Sequence, residues 1–289
     1  MKNEPSLYLM PCQEIILKDD NSEFHELIIY PDGQKNIKLN LSKLNVKIPV
    51  EIKCRIKNFA ELEVLLCLIS ALHKNDFIIS FIDFIYIFGM RSDRAFSVGM
   101  PNYFRDIIIP ILLTYPNIEY GFHTPHSSNL LKRIKNFHHS APHMHKMLDK
   151  FELADATLIC GDESFHKNNY YFTSYYFVKK RTDNGAIDYV ELFGKNIIDN
   201  SLKAPPSFSP DSKNSSIVII DDLCDGGATF IAEAKYLREI GFRGKLYLMI
   251  THGLFTKGLD RLLQYFDRIY CTNSYSTIRH PRVIQLEVI

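Results

Sequence analysis

Two adjacent aspartates, Asp221 and Asp222, and the small-residue loop Asp225–Thr229 are the residues of this chain best suited to chemistry. They follow the apolar run Ile217–Ile220, which is typical of a buried parallel strand. Carboxylates only accept hydrogen bonds, so an adjacent pair suits the two vicinal hydroxyls of a ribose. Backbone N–H groups in a small-residue loop and at a helix start suit a phosphate. The segment therefore predicts a site for a sugar phosphate.

The elements that must position this site alternate between strand-like and helix-like patterns, which predicts an α/β fold with a largely parallel sheet. Strand-like patterns cover Leu7–Met10, Glu26–Tyr30, Ile37–Leu41, Val46–Ile56, Asp76–Phe88, Tyr120–His123, Ala156–Cys160, Tyr170–Lys179, Tyr189–Phe193 and Lys245–Ile250. Helical patterns cover Ala60–His73, Asn102–Thr114, Phe230–Ile240 and Gly258–Phe266. The two cycles of pattern predict two α/β halves with a junction near Ser140–Leu148.

Composition gives no case for nucleic acid or membrane as a partner. The formal net charge is +1, and no run of about 18 apolar residues occurs. The first residues lack a signal-peptide pattern. Six scattered cysteines without a Cys-x-x-Cys pair favour reduced thiols. These features predict a cytoplasmic protein.

The segment from Ile217 to Thr229 resembles the 5-phosphoribosyl 1-diphosphate signature of the type I phosphoribosyltransferase fold. Other segments then follow the order found in ribose-phosphate pyrophosphokinases, and the resemblance runs from about Leu27 to Ser276. It implies two phosphoribosyltransferase-like domains, residues 1–142 on the ATP side and 143–289 on the ribose-phosphate side. Each would be a mostly parallel sheet flanked by helices. ATP as co-substrate, Mg²⁺ and self-association are implied with it.

Tyr30-Pro-Asp-Gly-Gln34 resembles the family's Phe-Ser-Asp-Gly-Glu turn, which holds adenine. Tyr30 keeps an aromatic face for stacking and Asp32 keeps an acceptor for the adenine amino group. Gln34 stands where the family has an acid. By itself the segment favours an ordinary hairpin turn.

The segment around Arg91, Phe-Gly-Met-Arg-Ser-Asp-Arg, resembles a family segment whose arginine binds ATP phosphates. Asp93 would help to orient that arginine. His126 matches a family histidine that contacts magnesium and nucleotide, whereas Thr124 stands where an aspartate is usual. Asp162, after the predicted strand Ala156–Cys160, matches an acid that contacts the metal and substrate. The implied metal residues are therefore His126 and Asp162.

The basic run ending at Arg181 resembles the family's Lys-Arg-Arg segment, which opens a mobile loop over the active site. Lys180 is implied to neutralise the transferring phosphoryl group, with Arg181 beside it. Thr182 stands where a second arginine is usual. The run leaves a hydrophobic strand and enters a flexible-looking loop, which favours a lid over a solvated charged face.

The loop for the 5-phosphate departs from the family's Asp-Thr-Gly-Gly-Thr. The ribose-phosphate residues that the resemblance implies are Asp221, Asp222, Asp225, Gly226, Gly227, Ala228 and Thr229. Gly226 removes a hydroxyl and leaves room for a group esterified on the phosphate. The acceptor is therefore either ribose 5-phosphate or a larger derivative, with ADP-ribose as the leading candidate.

The resemblance implies transfer of the β,γ-diphosphate of Mg–ATP to an anomeric hydroxyl, with AMP released. This would serve nucleotide biosynthesis or NAD metabolism. One alternative is a phosphoribosyltransferase that consumes phosphoribosyl diphosphate, although it would need neither the adenine turn nor the Arg91 segment. A second is a non-catalytic regulatory homologue. The changes at Gln34, Thr124 and Thr182 give it some weight, whereas the retained residues Arg91, Lys180, Asp221 and Asp222 argue against it.

Four histidines between the two halves have no counterpart in the family. They are His138, His139, His143 and His145. Such spacing can ligate zinc or copper. No cysteine or carboxylate accompanies them locally, so the favoured interpretation is a surface linker.

Overall fold

The chain folds into two compact units, residues 1–140 with Ile289 and residues 141–288, in a computed structural model. The structure describes residues 11–17, 22–92, 97–126, 131–134, 137–140, 142–153, 155–168, 175–181, 187–195, 202–203 and 215–289. The predicted strand Leu7–Met10 lies outside this set.

The first unit is built on a five-stranded sheet in which every neighbouring pair is parallel. Its strands, in spatial order, are β1 (Gln13–Leu17), β4 (Val50–Ile56), β5 (Ile79–Ile87), β6 (Glu119–His123) and β7 (Phe137–Ser140). Two more strands, β2 (His25–Ile29) and β3 (Lys35–Leu39), form a separate antiparallel hairpin.

Helix α1 (Phe59–Lys74) supplies much of the core of the first unit. Asn58 Oδ1 accepts the Glu61 N–H at 3.0 Å, and Glu61 Oε2 accepts the Lys57 N–H at 2.6 Å. This reciprocal cap fixes the start of the helix. Alternate residues of β4, such as Ile52 and Cys54, are buried with the apolar face of α1.

Pro110 divides the helix predicted over Asn102–Thr114. A π-helical turn over Phe104–Ile108 leads into α2 (Ile109–Leu113), and Pro110 lies in the first turn of α2. Proline has no N–H, and its ring clashes with the carbonyl four residues earlier. The wider preceding turn accommodates that ring.

The second unit contains an eight-stranded sheet. Its strands, in spatial order, are β11 (Leu202–Lys203), β10 (Ile187–Lys195), β9 (Tyr175–Arg181), β8 (Thr157–Cys160), β12 (Ser216–Cys224), β13 (Lys245–Gly253), β14 (Arg268–Thr272) and β15 (Val283–Leu286). Neighbours are parallel from β9 to β15, and β10 is antiparallel to both β9 and β11. Its helices are α3 (Pro142–Lys150), α4 (Glu163–Asn168), α5 (Ala228–Glu239) and α6 (Asp260–Leu263).

The strand order reverses between β8 and β12, which are parallel neighbours although they are distant in sequence. From β8 the chain continues to β9 on one side, and from β12 it continues to β13 on the other. In open α/β sheets, ligands bind at such a switch point, beyond the carboxyl ends of the strands. The fold therefore directs attention to the ends of β8 and β12.

The predicted α/β class with mostly parallel sheets is confirmed. Strands β1, β7, β11, β14 and β15 were not predicted. The histidine segment is not a surface linker: it forms β7 and α3, and His143 is buried. The reason is that β7 pairs with β6, while Met144, Met147 and Leu148 of α3 pack into a core cluster. No helix in the described part of the chain is long and apolar enough to cross a membrane.

Candidate active site

Asp221 and Asp222 lie inside β12 and not after it. The sequence predicted a strand ending at Ile220, but β12 continues to Cys224 because β13 pairs with it as far as Gly253. Each aspartate is only 6% exposed. Two adjacent buried carboxylates are costly, so they require nearby donors, cations or a bound ligand.

The Asp221 carboxylate lies across Gly161, the residue that follows β8. A methyl carbon at Gly161 would be 2.5 Å from Asp221 Oδ2. Asp221 Oδ1 accepts the Asp222 N–H at 2.8 Å. Burial, and after it the nearby Asp222 and Asp162 carboxylates, raise the pKa of Asp221 well above its usual range, and the Lys179 ammonium opposes that rise. The absence of a side chain at position 161 is therefore what admits this carboxylate.

Asp162 also lies at this edge of the sheet. Its Oδ1 accepts the Phe165 N–H at 2.7 Å and so caps α4. Its Oδ2 is 3.8 Å from Lys179 Nζ, and the same ammonium is 3.5 Å from Glu233 Oε1 of α5. The Lys179 side chain is 12% exposed and that of Glu233 is 0% exposed. One buried lysine thus contacts carboxylates from two other elements.

Sequence reasoning missed both Lys179 and Glu233 and selected the next residue, Lys180. Adjacent residues of a strand face opposite sides of a sheet, and Lys180 is exposed. The available signal was alternation with Phe177, which is fully buried in the cluster that includes α5. The side chain of Arg181 and residue Thr182 lie outside the described set.

The loop predicted over Asp225–Thr229 ends at Gly227, because Ala228 and Thr229 are the first residues of α5. Gly227 has a left-handed backbone (φ +79°) and precedes the first helical residue, and no side chain caps the helix there. A side chain at Gly227 would also meet Leu262 Cδ2 at 2.8 Å. Backbone N–H groups at the start of a helix of this length can bind an anion.

A second loop, which follows β13, holds the first in place. Thr256 Oγ1 donates to Asp225 Oδ1, and the Thr256 N–H donates to the Asp225 carbonyl at 3.2 Å. The stem of Lys257 lies over Gly226, where an added methyl carbon would be 3.0 Å from Lys257 Cγ. A cationic side chain therefore lies beside the candidate phosphate loop.

His252 has a structural contact. Its Nδ1 is 2.8 Å from Ser274 Oγ, which also donates to the Thr251 carbonyl at 3.2 Å. The imidazole is buried between β13 and the chain after β14. This contact gives His252 a structural role.

In the first unit, the segment predicted to hold adenine is the turn of the β2–β3 hairpin. Gly33 donates to the Tyr30 carbonyl, and Tyr30 donates to the Gln34 carbonyl, both at 2.9 Å. Asp32 Oδ1 accepts the Gln34 N–H at 3.1 Å, and Tyr30 is exposed. The hairpin alone accounts for these contacts, so an adenine role for this turn stays a prediction.

Arg91 is exposed in the turn after β5, and His126 is half-buried after β6. Asp93 lies outside the described residues. The sequence did not predict that His123 would pair with Asp83 of β5, with Nε2 2.9 Å from Oδ1. Gly121 allows this pair, since a methyl carbon there would be 2.6 Å from Asp83 Oδ1.

The chain is similar in sequence to parts of known proteins. No protein-family model matches the chain. The ribose-phosphate pyrophosphokinase of Methanopyrus kandleri is 26% identical over 202 residues, which cover 65% of this chain and 62% of that protein. That of Mycoplasma genitalium is 34% identical over 83 residues, 27% of this chain and 25% of that protein. These matches span less than two thirds of the relatives' own length.

Among solved structures, the phosphoribosylpyrophosphate synthetase from Mycobacterium smegmatis has the same fold. The TM-score is 0.69 over 91% of this chain and 85% of that chain, at 14% sequence identity. The chain is similar to the ribose-phosphate pyrophosphokinases. The resemblance predicted from its motifs is thereby confirmed.

The likeness to pyrophosphokinases raises the question of magnesium. No group of three or more metal-ligating side chains occurs among the described residues. The Asp162 side chain is 31% exposed and keeps lone pairs beyond its bond to Phe165. Magnesium is commonly held by one or two carboxylates together with substrate phosphates. The described residues therefore fit a cation that arrives with a nucleotide and do not form a cage made by the protein alone.

Gly161→Ala is expected to weaken binding of ribose 5-phosphate about tenfold or more, because the added methyl group displaces the Asp221 carboxylate. Calorimetry on the folded variant measures this. Gly226→Ala is the comparison, since its methyl group meets only the flexible Lys257 stem, and it should lose less. Wild-type affinity in Gly161→Ala would show that the Asp221 position does not matter for the ligand.

Proposed function

We propose that the chain transfers the β,γ-diphosphate of Mg–ATP to the anomeric 1-hydroxyl of a ribose 5-phosphate compound and releases AMP. One observation carries the proposal: the buried pair Asp221–Asp222 is followed within a few residues by the start of α5, beside the switch point between β8 and β12. This arrangement brings acceptors for a diol and donors for a phosphate into one short segment of the chain.

The reaction forms a bond between the anomeric oxygen and the β-phosphorus and breaks the bond between that phosphorus and the α,β-bridging oxygen. AMP retains the bridging oxygen, and the hydroxyl proton passes to solvent. Such transfers depend mainly on positioning and charge stabilisation. Asp221 and Asp222 would orient the ribose diol, and the N–H groups of residues 226–229 would hold the 5-phosphate.

The remaining parts of the site come from the resemblance. Arg91, Lys180 and Arg181 would supply positive charge to the transferring diphosphate. Tyr30, Asp32 and Gln34 would hold adenine. Magnesium would enter bound to ATP and neutralise phosphate charge, with Asp162 and His126 as its protein contacts. No residue is assigned as a general base.

An assay of AMP release from Mg–ATP tests the proposal against its two alternatives. AMP release that requires a ribose 5-phosphate compound supports it. A phosphoribosyltransferase would instead consume phosphoribosyl diphosphate with a base and leave ATP intact. A non-catalytic homologue would show neither reaction, and either result would reject the proposal.

Lys180→Ala is expected to lower the rate of AMP release at least about 10²-fold while the protein stays folded, because a charge that acts in the transition state is lost. Steady-state kinetics and circular dichroism measure the two quantities. Lys167→Ala is a matched control, since Lys167 makes an exposed pair with Glu163 on α4. A wild-type rate for Lys180→Ala would remove Lys180 from the mechanism.

Asp221→Asn and Asp222→Asn are each expected to weaken acceptor binding about tenfold or more and to leave ATP binding nearly unchanged. Each change keeps the side chain's shape but replaces an acceptor oxygen with a donor. Calorimetry with ATP alone and with ribose 5-phosphate alone separates the effects. Equal losses for both ligands would indicate a structural role.

The acceptor itself is proposed to be either ribose 5-phosphate or ADP-ribose. The room that the sequence predicted over Gly226 is not open, because the stem of Lys257 takes up the space that a threonine would occupy. Its ammonium is flexible and can add a charge-assisted contact to a phosphate in the loop. A diphosphate ester offers that lysine a second phosphate, which favours ADP-ribose. An acceptor of this kind would place the protein in NAD metabolism.

Comparison of kcat/KM for the two acceptors under identical Mg–ATP decides between them. If ADP-ribose is the acceptor, its kcat/KM is higher than that of ribose 5-phosphate. Lys257→Met then lowers kcat/KM for ADP-ribose about tenfold. The same variant should change the KM for ATP little. A preference for ribose 5-phosphate that Lys257→Met does not alter would reject the larger acceptor.

A further inference from the structure

Lys179 joins three elements of the second unit at the candidate acceptor site. The lysine belongs to β9, Asp162 follows β8, and Glu233 belongs to α5. Its ammonium is 3.8 Å from Asp162 Oδ2 and 3.5 Å from Glu233 Oε1.

Because Glu233 is buried, its ion pair with Lys179 is costly to break. Glu233 is fully buried, and removing one partner of a buried ion pair leaves the other charge uncompensated. By contrast, replacement of both partners by apolar residues of similar volume is often neutral for stability. The lysine can therefore be removed without unfolding the protein if Glu233 is replaced with it.

The ion pair between Lys179 and Glu233 lies near residues that are proposed to bind the ligand, and not only in the core. Glu233 lies four residues after Thr229, one turn beyond the loop proposed to hold the phosphate, and on the same helical face. Asp162 lies at the end of β8, next to Gly161, over which the Asp221 carboxylate lies. The contacts of Lys179 thus connect the first turns of α5 with Asp162, which follows β8.

We propose that Lys179 is a positioning residue for the acceptor: it holds the phosphate-binding start of α5 at a fixed separation from the acids that bind the ribose. A second effect follows from its charge. Asp162, Asp221 and Asp222 together would repel an anionic sugar phosphate, and one ammonium between them reduces that repulsion. This inference rests on the proposed function, whose acceptor site it concerns.

The test compares wild type with Lys179→Met/Glu233→Met. The double variant should melt close to the wild-type temperature, since neither charge is left alone in the core. Its kcat/KM for the acceptor should fall about 10²-fold, as expected when reacting groups are misplaced by about 1 Å. The KM for Mg–ATP should stay within about twofold, which a general loss of structure would not produce.

Two further variants complete the test. Lys245→Met removes a lysine that pairs with Asp267 at 2.9 Å. Lys245 lies at the amino end of β13, whereas Asp221 and Asp222 lie towards the carboxyl end of β12. This variant should leave kcat/KM for the acceptor and the KM for Mg–ATP unchanged. Lys179→Arg keeps a cation for Glu233 but with a different shape, and its acceptor kcat/KM should lie between wild type and the double variant. If the double variant unfolds, Lys179→Arg alone decides, and wild-type kinetics in it would overturn the inference.

A folded double variant with wild-type kcat/KM for the acceptor would also overturn it, and would leave the proposed function intact. If wild type releases no AMP, the proposed function fails instead. Calorimetry with ribose 5-phosphate then takes the place of kinetics. If the double variant binds ribose 5-phosphate more weakly than wild type does, the role of Lys179 is supported. If the two proteins bind it equally, or if wild type does not bind it, that role is refuted.

Discussion

The burial of two adjacent carboxylates inside β12 is the constraint on which the second unit depends. Asp221 and Asp222 are nearly inaccessible to water, and ionised carboxylates in that setting need compensation. The Asp222 N–H and the nearby Lys179 ammonium contribute to it at Asp221, and the glycine at position 161 leaves the carboxylate space beside β8. The parallel pairing of β8 with β12, and the reversal of strand order there, bring these residues together.

This constraint also explains how the neighbouring elements are arranged for chemistry. The strand that carries the acids leads within a few residues to α5, whose first turn has no side-chain cap. A hydrogen bond from Thr256 to Asp225 fixes that loop against the loop after β13. Carboxylates, backbone N–H groups of a helix start and lysine side chains therefore lie along one edge of the sheet, a combination that suits the proposed sugar phosphate.

The sequence was sufficient for the parts of the structure that depend on local pattern. The strand–acid–loop–helix order from Ile217 onward predicted the acids, the loop and α5, and alternation of patterns predicted the fold class. The length of β12 could not be predicted, because pairing with β13 extends it through the acids. Lys179 and Glu233 were missed because their meeting depends on packing between β9 and α5. The histidine segment was misassigned because its apolar residues pack only in the folded unit.

A crystal structure of the protein with ribose 5-phosphate tests the central claim most directly. The account predicts both ribose hydroxyls within hydrogen-bond distance, about 2.5–3.0 Å, of carboxylate oxygens of Asp221 and Asp222. It also predicts the 5-phosphate at the backbone N–H groups of residues 226–229. A sugar phosphate bound elsewhere, or one whose phosphate lies away from the start of α5, would contradict it.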